Sequence, residues 1–467
     1  MRRMATGLAE LHVGQGTRVL VAMDNNAEAV FTHLALRELG AVLVALTPGL
    51  RAGELGYQID HSEGEVLITD GAAAEVLAPE LSRHSKLRHT LMGDELGALC
   101  QHEPWRSIEL SDFDDLSPSL ILYTSGSTAK PKAVVLPAGC VLSSGRGYAN
   151  RFGIGLDDTF LLPFTISHGV GAMIIPGIHL STGCHIALEP KFSPSTFWNR
   201  VAATATTSAL LFPAQLQLLL ETADSSQQNT TLRVVITHVD NPAFRERFGV
   251  ELGTVWGSTE TGAQGAGLLR RDNDGRGDGF VGPPLGDEEL DIREAGDERE
   301  GVGEIRLRHP HVMLEYLGDP EATGVTLRDG WVHTGDFGSL DPDGSLRFRG
   351  RLSSMVKRSG ENISPEEIES VLVEHPQVVE VVAFGVPDRI RTEELAVVAV
   401  TSDDFEGVDL SAFVASRLAV WKAPRYVKVV HEPFPRLPSG KIDRAGVRRG
   451  FDVAAAWDRE SERSVNR

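Results

Sequence analysis

Short apolar segments alternate with segments of helical periodicity through most of this chain. The apolar runs RVLVAM, AVLVALT and EVLITD begin at Arg18, Ala41 and Glu65, and stretches such as AEAVFTHLALRELG lie between them. Parallel strands that are joined by crossover helices produce this alternation. The pattern continues through the later runs VVIT and TVWG. We therefore predict an α/β fold with mainly parallel sheet across roughly the first 350 residues.

The C-terminal part of the chain has a different pattern. Residues 270–301 are rich in Gly and Asp, which predicts loops around a short strand pair. Residues 366–430 then indicate a helix, two strands, a second helix and a strand, as in a compact α+β module. We place a domain boundary at residues 350–354 and expect the polar tail after Ala456 to fray.

Composition narrows the classes of function. The 467 residues carry a formal charge of -20, which argues against a nucleic-acid partner because no general basic surface is available to neutralise phosphates. Three scattered cysteines fit a reducing cytoplasm rather than a disulfide framework. The N-terminus lacks an apolar signal region, and no run of about 18 apolar residues occurs, so we predict neither export nor a membrane span.

Residues 122–136, LYTSGSTAKPKAVVL, form the strongest candidate site. Here a β-type run ends in small hydroxyl residues around Gly126, and two lysines bracket Pro131. Hydroxyls, backbone amides and lysines in one loop can bind phosphates. A solvated Ser/Thr/Gly loop is the alternative for such a cluster in isolation. No Gly-Lys-Ser/Thr sequence closes the loop, so it is not a Walker loop.

Taken with four later segments, this loop resembles the signature of the adenylate-forming (AMP-binding) superfamily. That superfamily includes acyl-CoA synthetases, nonribosomal peptide adenylation domains and firefly luciferase. The later segments, in the same order as in the family, are TVWGSTETG (254–262), GWVHTGDFG (330–338), RGRLSSMVKRSGENISPEEIE (349–369) and PRLPSGKIDR (435–444). The resemblance extends over nearly the whole chain and implies a large N-terminal domain with a β-subdomain (1–350), a hinge (351–354) at Ser354, and a small mobile lid (355–467).

The resemblance implies three catalytic residues. Glu260 and Thr259 would contact Mg²⁺ and the α-phosphate, although such a pair more often starts a helix. Lys441 would stabilise charge as the substrate carboxylate attacks ATP. The metal would be bound at Thr128 and Glu260.

The nucleotide site is implied in the same way. Asp336 and Arg351 resemble the family's ribose-binding pair, and Trp256 replaces the usual tyrosine beside adenine, with a buried core aromatic as the alternative. The complete set that the resemblance implies for ATP or AMP is Thr124, Ser125, Gly126, Ser127, Thr128, Lys130, Lys132, Trp256, Gly257, Ser258, Asp336 and Arg351.

Two further regions concern the acid and the thiol. His168, His238 and Val239 are expected in the acyl pocket, where THVDN replaces the family's Gly-Gly-Ala-Pro and changes the pocket floor. A satisfied core histidine is the alternative for His168. The segment expected at coenzyme A comprises Lys357, Arg358, Ser359, Gly360 and Glu361, for which a solvated basic turn is the alternative.

Several segments, including FRERFGVEL and PDRIR, look like the crotonobetaine/carnitine-CoA ligase branch. This resemblance predicts an ATP-dependent carboxylate–CoA ligase with Mg²⁺, acting on an aromatic or specialised acid of secondary metabolism. One alternative keeps adenylation but uses a carrier protein, an amine or nitrite. The other is a nucleotide-binding regulator without turnover.

Overall fold

The structure of the protein is a computed structural model that includes side chains. It describes residues 1–47, 52–77, 81–84, 86–92, 94–103, 113–124, 131–222, 230–238, 240–270, 279–294, 301–351, 354, 356–358, 361–388, 391–402, 407–418, 420–437 and 441–461.

Within these ranges the α-helices are numbered α1 to α14 in chain order. They are Arg2–Glu10, Ala27–Glu38, Ala52–Ser62, Gly71–Leu77, Asp94–Leu99, Gly139–Phe152, Ile175–Thr182, Pro194–Ala203, Pro213–Thr222, Pro242–Phe248, Pro320–Thr326, Pro365–Val373, Gly407–Arg417 and Arg444–Arg449. One turn of π-helix, Val170–Ile174, precedes α7.

The strands are numbered β1 to β25 in the same way. They are Arg18–Ala22, Val42–Ala45, Val66–Thr69, His89–Met92, Pro118–Thr124, Lys132–Pro137, Thr159–Leu162, His185–Leu188, Ser208–Leu210, Val234–Thr237, Glu251–Gly257, Gly265–Arg270, Phe280–Gly282, Glu289–Glu294, Val302–Arg308, Glu315–Tyr316, Leu327–Arg328, Trp331–Leu340, Leu346–Arg351, Val356–Arg358, Glu361–Ile363, Val378–Asp388, Thr392–Thr401, Tyr426–Val430 and Trp457–Asp458.

Two large sheets confirm the predicted α/β architecture. The first has the order β16-β6-β5-β2-β1-β3-β4, and the second has the order β12-β11-β10-β9-β7-β8. In both sheets the inner strands are parallel and the strands at one end are antiparallel. Strands β1, β2 and β3 are buried along their lengths apart from Arg18, as expected when helices cover both faces of a parallel sheet.

The remaining sheets are mainly antiparallel. The third has the order β13-β19-β18-β15-β14, and the fourth has the order β21-β20-β23-β24-β25 with β22 paired to β23. The helix, strand, strand, helix, strand order that we predict after residue 366 is confirmed as α12, β22, β23, α13 and β24. The tail does not fray completely, because β25 pairs with β24 through Trp457 and Asp458.

Local sequence signals start several helices. The side chain of Asn26 accepts the Ala29 N–H at the start of α2, and Asp319 does the same for Ala322 at α11. Ser364 caps α12, where Pro365 occupies the first turn and needs no hydrogen-bond acceptor.

The chain divides into two compact units. Unit 1 contains Met1–Asp291, Arg306–Thr334 and Leu340–Arg347, and unit 2 contains Ile292–Ile305, Gly335–Ser339 and Phe348–Arg467. In unit 1 the largest apolar core lies around β1, β2, β5 and α6, and in unit 2 the main core lies around α12, β23 and α13. None of the helices in the described ranges is both long and apolar enough to cross a membrane.

Candidate active site

The strands that flank the predicted phosphate loop meet at one end of the first sheet. Strand β5 ends at Thr124 and β6 begins at Lys132, and these two residues are paired across the antiparallel ladder. The Thr124 hydroxyl lies 3.5 Å from the Lys132 carbonyl oxygen. Both residues therefore flank residues 125–130, and β6, which carries Lys132, pairs with the edge strand β16.

Glu260 lies in a tight turn after β11. The Ser258 N–H donates to the Thr261 hydroxyl at 3.0 Å, and that hydroxyl also lies 2.7 Å from the Gln264 carbonyl oxygen. The predicted Gly257, Ser258 and Thr259 are half-buried within this segment. The turn thus fixes the backbone on both sides of the Glu260 carboxylate.

Tyr316 contacts two of the predicted site residues and belongs to none of the five sequence motifs. Its hydroxyl donates to Glu260 Oε1 at 3.0 Å, and Lys132 Nζ lies over its ring, 4.7 Å from the centroid. No Lys, Arg or His in the described part of the chain forms an ion pair with Glu260. The predicted cation and anion of the phosphate site are thus connected by one neutral side chain.

A cluster of four rings lies where strands of the second sheet end. The Phe212 ring centroid is 4.6 Å from Phe164, 5.8 Å from His168 and 5.6 Å from His238. Phe164, Phe212 and His238 follow the carboxyl ends of β7, β9 and β10 respectively. Ligands of open α/β sheets bind at such ends, and this rule is the signal that could have identified Phe212 from the sequence.

The two predicted histidines have different surroundings. His168 is half-buried, its Nδ1 accepts the Val170 N–H at 3.3 Å, and the π-helical turn follows it directly. His238 is exposed and stacks on Phe212 with an interplanar angle of 14°. The structure therefore brings both predicted acyl-pocket histidines against the same phenylalanine.

Asn25 fixes the loop that carries Phe164. It is buried, and its side-chain amide donates to the backbone carbonyl oxygens of Phe164 and Glu189. Its side-chain oxygen accepts the Ile166 N–H at 2.8 Å. A residue at the end of β1 in the first sheet thus holds the ring-bearing loop of the second.

Trp256 is part of the interior of β11. Trp256 is 5% exposed and pairs with Ala266 on β12. This degree of burial fits the core-aromatic alternative more closely than an open face against adenine. Its contact with adenine remains a prediction.

Unit 2 brings together three predicted residues. Arg351 Nε lies 3.1 Å from Asp336 Oδ1, and the Asp336 carboxylate is almost fully buried. Desolvation of the Lys441 ammonium, followed by the positive charge of Arg351, lowers the pKa of Lys441 from its ordinary value. The backbone of Lys441 is also hydrogen-bonded, because the Leu437 N–H donates to the Lys441 carbonyl oxygen at 2.8 Å.

Arg358 is engaged inside unit 2. Its Nε donates to Glu394 Oε2 at 2.7 Å, and the Glu394 side chain is 1% exposed. Arg391 also donates to Glu394, while Arg425 lies 3.8 Å from it. The predicted contact of Arg358 with coenzyme A therefore stays a prediction, and the structure gives this arginine a structural partner.

The predicted hinge is hydrogen-bonded within unit 2. The Ser354 hydroxyl lies 3.0 Å from the Arg351 carbonyl oxygen and donates to Glu366 Oε1 at 2.9 Å. A Cβ on Gly350, whose φ is +131°, would come within 2.6 Å of both Ser364 Oγ and Glu366 Oε2. Glycine is thus required at this approach.

Some predicted site residues lie outside the described residues. For Lys357 and Glu361 only the backbone of the β20 and β21 pairing is described, with Arg358 opposite Glu361. The others are Ser125, Gly126, Ser127, Thr128, Lys130, Val239, Ser359 and Gly360.

The carboxylate arrangement fits a metal that arrives with its substrate. The described ranges contain no group of three or more His, Cys, Asp or Glu side chains that could hold a metal ion. Mg²⁺ commonly binds through one or two carboxylates together with substrate phosphates. Glu260 is the carboxylate predicted at the metal, and Tyr316 donates to its Oε1 atom.

Comparison with known families gives matches over both parts of the chain. Residues 1–317 match the AMP-binding enzyme family. Residues 367–441 match the AMP-binding enzyme C-terminal domain. The first match alone covers more than half of the 467 residues.

Individual relatives agree with these matches. A probable CoA ligase of Humulus lupulus, CCL9, is 30% identical over 461 residues, covering 94% of this chain and 87% of that protein. Crotonobetaine/carnitine–CoA ligase of Salmonella paratyphi B is 29% identical, covering 95% and 90%. O-succinylbenzoate coenzyme A synthetase (MenE) of Bacillus subtilis, solved with ATP and magnesium ion, has 27% identity, a TM-score of 0.82, and coverage of 96% and 92%.

Proposed function

The chain belongs to the AMP-binding enzyme family and is an ATP-dependent carboxylate–CoA ligase, and we propose that the acid it activates is aromatic. It uses ATP, Mg²⁺ and coenzyme A. A carboxylate oxygen attacks the α-phosphorus of ATP, and the bond to pyrophosphate breaks to leave acyl-AMP. The thiol sulfur then attacks the acyl carbon, and AMP leaves as the thioester forms.

We propose roles for residues of unit 1 in the first step. Lys132 and the loop before it would bind the ATP phosphates, and Glu260 with Thr259 would orient the α-phosphate. A Mg²⁺ ion held at Glu260 would neutralise part of the phosphate charge. The short turn around Glu260 supports this proposal, because it fixes the backbone that carries the carboxylate before substrate binds.

Residues of unit 2 have separate proposed roles. Asp336 would accept hydrogen bonds from the ribose hydroxyls, and Arg351 would donate to the nucleotide nearby. Lys441 would stabilise the negative charge that develops in adenylation. The segment 357–361 would serve the thiol step after a rotation about Ser354, and the boundary 351–354 between domains remains part of this proposal.

The ring cluster carries the proposal of an aromatic acid. Phe212 contacts the rings of Phe164, His168 and His238, all at or near the carboxyl ends of strands. Flat aromatic side chains bind a flat aromatic substrate by stacking and edge contacts, each with about 0.5–1.5 kcal/mol beyond burial. An alkyl chain makes no stacking or edge contacts of this kind. The imidazole groups can also hydrogen-bond a polar ring substituent.

Pyrophosphate release tests the proposal directly. Purified protein with Mg-ATP is supplied with benzoate, hydroxy- and aminobenzoates, cinnamate, acetate, octanoate, palmitate or nitrite, each with and without coenzyme A. We expect release with one group of aromatic acids and formation of the corresponding thioester. Equal rates across the fatty acids would overturn the aromatic assignment. Release of pyrophosphate that depends on nitrite would show that nitrite, and not a carboxylic acid, is the substrate.

A pair of variants identifies the cluster as the acid site. Phe212→Leu should lower kcat/KM for the best aromatic acid about tenfold, by loss of ring contacts, while changing the rate with acetate much less. Phe192→Leu is the matched control, because Phe192 is also half-buried in unit 1 but contacts Phe197 instead. Equal losses in both variants would contradict the assignment of the site.

We also propose a cytoplasmic location and no nucleic-acid partner. Cys100, Cys140 and Cys184 are all free thiols, as expected in a reducing compartment. The net charge of -20 disfavours binding to a polyanion.

A further inference from the structure

Tyr316 occupies a fixed position at the edge of the first sheet. It lies on β16, opposite Val134 on β6, and is 6% exposed. Its N–H donates to the Thr323 hydroxyl at 2.9 Å, and its carbonyl oxygen accepts the Asp319 N–H at 3.1 Å. The ring therefore projects from a backbone that is held by sheet pairing on one side and by the start of α11 on the other.

This ring contacts both charged groups that the proposed function assigns to Mg-ATP. The hydroxyl donates to Glu260 Oε1 at 3.0 Å, and the ring face lies 4.7 Å from Lys132 Nζ. The segment before Tyr316 is also hydrogen-bonded to the Glu260 backbone, because the Met313 N–H donates to the Glu260 carbonyl oxygen at 2.8 Å. A single side chain thus sets the separation of the carboxylate and the ammonium.

We infer that Tyr316 is a positioning residue for nucleotide binding, with its hydroxyl orienting Glu260 for Mg²⁺ and its ring orienting Lys132 for phosphate. The inference rests on the proposed roles of Glu260 and Lys132. The two contacts use different parts of the side chain, so they can be removed separately.

A phenol suits this role because it is neutral. An arginine at the same place would orient Glu260 but would also supply a positive charge that competes with a metal ion. The phenol orients the carboxylate through one oxygen and leaves its charge for the metal. The ring attracts the Lys132 ammonium through its negative face without consuming a hydrogen bond of that ammonium.

Equilibrium binding of ATP separates the two contacts. Calorimetric Kd values are measured for the whole protein with excess Mg²⁺ and with EDTA. Their ratio gives the gain in ATP affinity that is due to the metal. We expect Tyr316→Phe to reduce this gain about threefold to tenfold, because a hydrogen bond to a charged group is lost, while the Kd in EDTA is unchanged. Tyr316→Leu should also weaken binding in EDTA, by about twofold to fivefold, since the ring contact with Lys132 is removed.

Tyr148→Phe is the matched control. Tyr148 is buried on α6 and lies in the apolar core of unit 1, so both Kd values should match those of the unchanged protein. A second test uses Glu260→Gln as background, where adding Tyr316→Phe should leave the metal ratio unchanged because the partner of the hydroxyl has already been altered.

The outcomes distinguish this inference from the proposed function. If Tyr316→Phe weakens binding equally with Mg²⁺ and with EDTA, or lowers the metal gain as much in the Glu260→Gln background, the positioning role is wrong. If the unchanged protein does not bind ATP at all, the proposed function itself fails. Thermal melting of each variant identifies a variant that loses affinity through unfolding, and the Kd values are therefore compared at a temperature below the lowest melting transition.

Discussion

Two glutamates, Glu260 in unit 1 and Glu394 in unit 2, are held by different kinds of partner. Glu260 is half-buried and accepts a hydrogen bond from the neutral Tyr316 hydroxyl. Glu394 is fully buried and accepts hydrogen bonds from Arg358 and Arg391. The carboxylate of Glu260 keeps its charge available to a ligand, whereas that of Glu394 is neutralised by the protein.

The difference shows how partner chemistry separates function from structure. A buried carboxylate without a cation costs free energy, so Glu394 requires its arginines for the fold to be stable. Around it, Arg391 and Arg425 also pair with Glu460 and Asp458, which ties β25 to the fourth sheet. At Glu260 the described residues place no cation in an ion pair with the carboxylate, which is expected where a metal ion must be bound.

The largest effect is expected at Lys441, a charged group of unit 2 that lies near the like charge of Arg351. Lys441→Ala should lower the rate of acyl-AMP formation about a hundredfold or more, because a donor to developing negative charge is lost. Pyrophosphate release measures the first step, and thioester formation from supplied acyl-AMP measures the second. The second rate should change little. Lys428→Ala, on β24, is the control; equal loss in both half-reactions of Lys441→Ala would contradict the division of roles.

The next effect concerns stability. Glu394→Gln should lower the free energy of unfolding by roughly 3 kcal/mol, because it removes the charged partner of the largely buried Arg358, whereas Arg391 keeps Glu460. Chemical denaturation measures this loss. Glu393→Gln, at the half-buried neighbouring position on β23, should cost about 0.5 kcal/mol or less. If the two substitutions were equally mild, the network around Glu394 would not be structural.

A smaller effect is expected in the pH dependence of adenylation. The pKa of Lys441 is lowered by desolvation of its ammonium and by the charge of Arg351. The active, protonated lysine is therefore lost as pH rises through a value below the ordinary lysine pKa of about 10.4. The rate of acyl-AMP formation should therefore begin to fall at a pH below the ordinary lysine pKa. An alkaline limb at the ordinary lysine pKa would show that neither desolvation nor the charge of Arg351 lowers the pKa of Lys441.

The sequence predicts elements well where the pattern is local. The runs RVLVAM, AVLVALT and EVLITD become β1, β2 and β3, and α12 begins at the Ser364-Pro365 signal. In contrast, the strand pairing of Trp457 and Asp458 depends on Arg425 and β24, which are distant in sequence. A polar tail therefore carries no local sign of its strand.

The residues of the candidate site likewise differ in how far the sequence predicts them. Motif residues such as Glu260, Asp336 and Lys441 are recognisable from the sequence because the motifs are contiguous. Tyr316 is missed because its contact with Glu260 joins residues 56 positions apart. Phe212 is missed because its ring contacts form only when β9 lies between β7 and β10 in the sheet. Long-range packing, which the local pattern does not encode, places both residues.

Glu260→Gln offers the most direct test of the central claim, that the charge at Glu260 serves ligand binding and that at Glu394 serves stability. Acyl-AMP formation and thermal melting are measured on Glu260→Gln and Glu394→Gln in parallel. We expect Glu260→Gln to lose about a hundredfold in adenylation rate with a melting temperature within about 2 °C of the unchanged protein. A large fall in its melting temperature, together with adenylation near the original rate, would contradict the account.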